Sequence, residues 1–532
     1  MSRILAFVLA GGLAAVPAAG QHAGHEASAP ADAVPLYETL GTLTRTITTD
    51  APLAQRYFDQ GLRLTYGFGH AEAVRSYRAA LESDDGCAMC WWGVAWARGP
   101  YINAEMDSAS AVEAFAAVQE AKRRASAGTE IERALIDAMA TRYVAEPTDA
   151  NRPGLDSAYA AAMRDVVRRF PYDLDAATLL AEALMVLRPW DQWTRDGRPQ
   201  PGTEEVLAVL ESVLGRDIGH PGACHLYIHA VEASLDPERA QPCAELLGAA
   251  IPGASHIPHM PSHIWMRIGR YGDGVRANQR AWHADLQAVQ GQAVPIYPTH
   301  NLHMLLFAAS MDGQSAVAWQ AAKDLARISE SNAFYVPLVL VRFGRWDDVM
   351  DLEDAPDDPF RRALWSYARG YAHLRSGVID SARAHLAALE TTLAETGDSA
   401  RFRGHRQSDL LGIARASLGA DVAAADARWD DAVEHLRAAV PLEDSLEYDE
   451  PEPWIVPVRH VLGAVLLEAG RFAEAERAYR EALSDHPENG WSLFGLERAL
   501  RAQDRQAEAD EVRQRLDRAW SRADVWLRSS RF

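Results

Sequence analysis

The chain has 532 residues, 48% of them hydrophobic, and a formal net charge of −21. That length exceeds one compact core and calls for several domains or a repeat array. The acidity argues against nucleic acid as a partner, which needs clustered positive charge, and with Lys122 and Lys323 as the only lysines a Schiff-base mechanism is disfavoured.

Residues 1–20, MSRILAFVLAGGLAAVPAAG, set Arg3 before an apolar run from Ile4 to Val16 and end on small residues. This is the three-part pattern of a secretory signal. The run is too short to span a bilayer, and no later stretch reaches the roughly 20 apolar residues a spanning helix needs. The expectation is an exported chain, periplasmic or secreted, with no transmembrane segment once the signal is removed. Residues 21–50 open on QHAGHEASAPADAVP and read as a flexible lead-in.

From residue 51 onward the spacing of apolar residues predicts helix after helix, broken by Pro and Gly turns. FGHAEAVRSYRAAL places Ala73, Tyr77 and Ala80 on one face. GCAMCWW follows, with Trp91 where a c-type haem attachment site would carry histidine, so a Cys87–Cys90 disulfide is favoured over haem or redox chemistry. Four cysteines in an exported chain allow three pairings, and sequence order also favours Cys224 with Cys243. RPWDQWTRDGRPQPG (188–202) reads as an insertion that could flank the histidine-rich segment beyond it. ACHLYIHAVEAS predicts a helix ending before Asp236-Pro237.

Further helix pairs are expected at GRYGDGVRANQRAW, GRWDDVM, SGVIDSARAHLAAL and ARWDDAVEHLRAA, with PLEDSLEYDEPEPWIVP (441–457) an ordered acidic loop around Trp454. The clearest stretch is LGAVLLEAGRFAEAERAYREALSDHP (462–487), with Gly463, Gly470, Phe472, Ala475, Tyr479, Ala482 and Pro487 at fixed offsets. At these offsets it resembles the tetratricopeptide repeat, a pair of antiparallel helices, and the earlier segments match its second helix. The resemblance implies an all-α, right-handed superhelical solenoid. We divide it into an N-terminal array with insertions and the histidine-rich segment, 51–310, and a C-terminal array, 311–532. It also implies a protein or peptide partner, or a small ligand, held on the concave face lined by the first helices.

Nine of the eighteen histidines lie between residues 220 and 303, about three times an even scatter. His225, His229 and Glu232, at i, i+4 and i+7, share one face of a helix. HIPHMPSHIW holds His256, His259 and His263, with Pro261 placed to start a helix; YPTHNLHMLLF holds His300 and His303 behind Pro298. His225, His263 and His300 are 38 and 37 residues apart, about one repeat each, and each falls early in a first helix. Neighbouring first helices stack about 8–10 Å apart, so their imidazoles can converge on one or two ions.

All-imidazole ligation suits zinc, copper or iron. The pair spacing is shared with type-3 copper proteins, and a zinc hydrolase would take Glu232 as its base. The competing reading is structural: histidines near helix starts that cap turns or stack on Tyr227 and Trp265. The functional expectation is a scaffold with a histidine-lined, metal-binding site. Its alternatives are a metalloenzyme, a hydrolase or oxidase, centred on that row, and a plain envelope assembly scaffold.

Overall fold

The structure, a computed structural model, describes residues 34–352 and 354–532. Residues 1–20, expected to be a secretory signal, and the start of the expected lead-in lie outside them. The chain is an all-α solenoid of antiparallel helix pairs. The first pair is Pro52–Tyr66 with His70–Ser83 and the last is Gly490–Arg501 with Gln506–Ala519. The only strands among the described residues form a small antiparallel hairpin, Arg401–Phe402 with His405–Arg406.

Local chemistry explains where the helices start. Pro221, Pro261, Pro298 and Pro359 each stand in the first turn of a helix, where no N–H partner is needed. Asp107, Asp173, Asp358 and Asn489 cap others through their side chains, and Thr129 with Glu132 forms a capping box.

Packing follows the small-against-large pattern of the repeat. Tyr479 is fully buried between Gly463 and Gly495, where an added Cβ would sit 2.4 and 2.0 Å from its ring. Tyr77 stands likewise between Gly61 and Gly93, with the added Cβ at 2.5 Å in both. The glycines let successive first helices close around one aromatic wedge.

Buried apolar side chains form two clusters, one running from Leu40 to Ile296 and the other from Tyr271 to Leu516. Residues 34–50 depart from the flexible lead-in expected for 21–50. They run extended across the first helices with Leu40 and Ile47 buried, and Arg45 pairs with Asp173 at 3.0 Å and Asp175 at 2.9 Å. The polar, Pro-containing composition belongs to 21–35; beyond it the segment carries its own apolar anchors.

Two other irregular segments are tied down. After the helix Trp429–Asp444 the acidic loop folds back over the array, with Trp454 buried and Tyr335 Oη donating to Pro453 O at 3.1 Å. At the other end, Ser530 and Arg531 are buried against first helices. Arg531 pairs with Asp421 at 2.7 Å and with Glu468 at 3.0 Å.

Candidate metal centre

Three consecutive repeats build the site. The helix Pro221–Val231 presents His225 and His229 one turn apart, with Glu232 at its C-terminal end. A one-turn helix, His256–His259, supplies two more histidines, and Pro261–Arg267 supplies His263. His300 comes from Pro298–Met311.

Solenoid stacking draws these into two trios. One ring nitrogen from each of His225, His229 and His256 lies within 4.8 Å of the other two, and the same holds for His259, His263 and His300. The trios adjoin: the His256 and His259 rings are 5.4 Å apart, and those of His229 and His263 are 5.5 Å apart. All six imidazoles are buried, His300 being the most exposed at 5%.

Ring orientation carries more information than proximity. His225 Nδ1 is 2.6 Å from Tyr66 O, an acceptor, so the ring donates from Nδ1. His229 Nδ1 and His263 Nδ1 donate to the two oxygens of Glu232, at 2.7 and 2.6 Å. His259 Nδ1 donates to Asn278 Oδ1 at 2.6 Å, while Asn278 Nδ2 is itself spent on Gly274 O. In four of six rings, then, the proton of the neutral form faces outward and the Nε2 lone pair faces inward. Outer partners of this kind are what fix the tautomer and direction of a metal-binding histidine.

The inward nitrogens meet one another. His225 Nε2 is 3.1 Å from His256 Nε2, and His259 Nε2 is 2.8 Å from His263 Nε2. His229 Nε2 is buried without a hydrogen-bond partner. For His259 and His263 both Nδ1 protons are committed elsewhere, so two lone pairs would oppose each other unless a positive charge sits between them. In the metal-free chain that charge is a proton. Burial opposes a charged His263, yet the carboxylates of Glu232 and Glu450 outweigh it and raise its pKa to about 10. Burial, reinforced by His263, instead holds His229 down to about 3, and burial with His229 holds His225 well below the usual range.

Several contributors are far away in sequence. The acidic loop delivers Glu450, whose Oε2 is 3.0 Å from His263 Nδ1, and Tyr448, which donates to Glu232 Oε2 at 3.2 Å. Burial and the neighbouring Glu232 push Glu450 up to about 7. The only sequence signal for them is an acidic, Pro-rich break in the helical pattern.

Aromatic rings wall the first trio. Phe68 lies 4.2 Å from the His225 ring, Tyr297 5.1 Å from His256 and Trp190, from the 188–202 insertion, 5.2 Å from His229. All three have left-handed backbone, with φ of 63°, 55° and 58°. Bulky residues rarely adopt it, and such strain gathers at functional sites.

Two expected ligands take other parts. His303 belongs to neither trio: its Nδ1 faces Arg403 and its ring packs on Tyr335 at 4.4 Å. It stands one turn beyond His300, past the end of the row. Glu232 acts mainly behind the ligands, because its oxygens are engaged by His229 and His263. It could join a third possible donor group only with His229 and Glu450. The cysteines are paired Cys87–Cys90 and Cys224–Cys243, the second pair bracing the helix of His225.

The sequence matches no protein-family model and no curated relative. Among solved structures it is similar to human IFIT1, solved as a dimer with PPP-AAAA. The identity is 10% over 88% of this chain and 91% of that one, with a TM-score of 0.31. The Cut9 and Hcn1 hetero-tetramer of APC/C aligns at 13% identity over 88% and 77%, with a TM-score of 0.29. Yeast Tom70 aligns at 11% over 89% and 92%, with a TM-score of 0.27. At these scores the likenesses carry no argument, and the repeat architecture rests on the helix pairing of the chain itself.

Proposed function

We propose that this chain is an exported, metal-binding repeat scaffold whose two histidine trios hold two adjacent copper ions. One observation carries the reading: imidazoles whose Nδ1 protons are committed outward bring their Nε2 lone pairs together in a buried space. Neutral histidines serving only as packing would alternate donor and acceptor, and His259 with His263 cannot.

The donor set favours copper. Imidazole nitrogen suits zinc, copper, iron and nickel, and among these copper binds most tightly. Structural zinc sites take four protein ligands, whereas each trio offers three. Bound copper would supply one-electron redox chemistry. The chain's own groups have separate tasks: Tyr66 O, Glu232 and Asn278 hold the rings, while Phe68, Trp190 and Tyr297 exclude water. The hydrolytic alternative is weakened because Glu232, the base it needs, accepts from two histidines and a tyrosine.

Binding of a protein or peptide along the array is a second reading, favoured by one observation. The chain's own residues 530–531 already lie against first helices of the C-terminal half.

X-ray absorption on copper-loaded protein tests the proposal. The expected spectrum shows about three imidazole nitrogens at roughly 2.0 Å per ion, the usual metal–imidazole distance. A spectrum dominated by sulfur, or by water oxygens in a six-coordinate shell, contradicts it.

A further inference from the structure

The opposite imbalance occurs in the second half of the chain. Arg342, the last residue of the helix Tyr335–Arg342, is 2% exposed. Among the described residues no carboxylate pairs with it. Its guanidinium lies 3.9 Å over the Trp491 ring, and Nη1 donates to His460 Nδ1 at 3.3 Å. Nη2 reaches only the weak acceptor Met311 Sδ, at 3.9 Å, and Nε–H has no acceptor.

His460 deepens the deficit. Because its Nδ1 accepts from Arg342, the ring proton is on Nε2, a fully buried donor that also lacks a partner. Burial pulls Arg342 down to about 9, so it remains a cation at neutral pH. The other titratable groups acting on the pair are Tyr367 and His486, and neither supplies a neutralising anion. A buried cation with no partner is costly, and proteins normally give it a counter-charge.

We infer that the Nε and Nη2 edge of Arg342 is a site for a small monovalent anion. Trp491 and His460 are fully buried and Met311 nearly so, so the ligand proposed is a small one, a halide or formate. The helix Pro298–Met311 carries His300 of the second trio near its start and Met311 at its end, so one helix links the cation-seeking site to the anion-seeking one.

The test uses the full chain and does not depend on bound metal. Thermal unfolding is followed in sodium gluconate as chloride or formate replaces gluconate at constant ionic strength. The expected result is a saturable rise in Tm, as a ligand bound only by the folded state produces, absent in Arg342→Met. Crystals soaked in bromide should give an anomalous peak against Arg342 Nε. Equal anion response in wild type and Arg342→Met, or bromide-soaked crystals with no such peak, would overturn the inference. If Arg342→Met does not fold, the bromide peak decides alone.

Discussion

His259 Nε2 lies 2.8 Å from His263 Nε2, and both rings already donate their Nδ1 protons, to Asn278 and Glu232. A proton can hold that pair together when His263 is charged, and a metal ion can take its place.

Each trio should hold its own ion. His225→Ala should remove about half of the bound metal and His263→Ala the other half, with the double variant binding none. Circular dichroism should show helical content nearly unchanged, since these rings line the space between helices rather than form them. Full metal content in the double variant would dismiss the histidine row as a centre.

Glu232 serves both trios at once, one oxygen to His229 and one to His263. Glu232→Gln can accept through only one oxygen, and its amide nitrogen faces the other N–H. Metal affinity should fall by about 10- to 100-fold, the usual cost of losing an outer partner, and at both sites together. Competition titration against a chelator measures this; loss confined to one site would break the link.

In the metal-free protein two of the histidines should make stability depend on pH in opposite directions. Its His263, raised to about 10, contributes stability that is complete below 6.5 and is lost as pH rises through 10. His229, depressed to about 3, works in the other direction: the unfolded chain binds a proton that the folded one refuses, so stability falls as pH drops from 6.5 towards 3. Chemical denaturation of chelator-treated protein from pH 4 to 10.5 should show a shallower loss above pH 6.5 in His263→Ala and a shallower loss below it in His229→Ala. Loading the second trio at pH 7 should also release the His263 proton, which calorimetry in buffers of different ionisation enthalpy detects.

The aromatic wedges predict a purely structural effect. Gly463→Ala drives a Cβ to 2.4 Å from the Tyr479 ring and should cost roughly 1–3 kcal/mol by overpacking, without changing metal content. Urea unfolding of the variant measures it.

Much of this was legible in the sequence because it depends on periodicity. The offsets of Gly463, Ala475 and Tyr479 announce the helix pair, and the 37- and 38-residue steps from His225 to His263 to His300 announce the row. What periodicity does not reach is contact between distant segments. Asn278 sits on a second helix, where it reads as an ordinary polar residue of the repeat. Glu450 and Tyr448 arrive on a loop more than 200 residues from Glu232, and only the folded path of the solenoid brings them to the histidines. His303 shares the row's sequence neighbourhood but stands one turn further along its helix, where Arg403 and Tyr335 take it up.

The most direct measurement is the metal content of the protein, purified without a histidine tag or chelator and analysed by plasma mass spectrometry. Two adjoining trios should hold two equivalents of copper, before or after reconstitution with copper alone. No metal above background after reconstitution would contradict it and return the six histidines to a structural role.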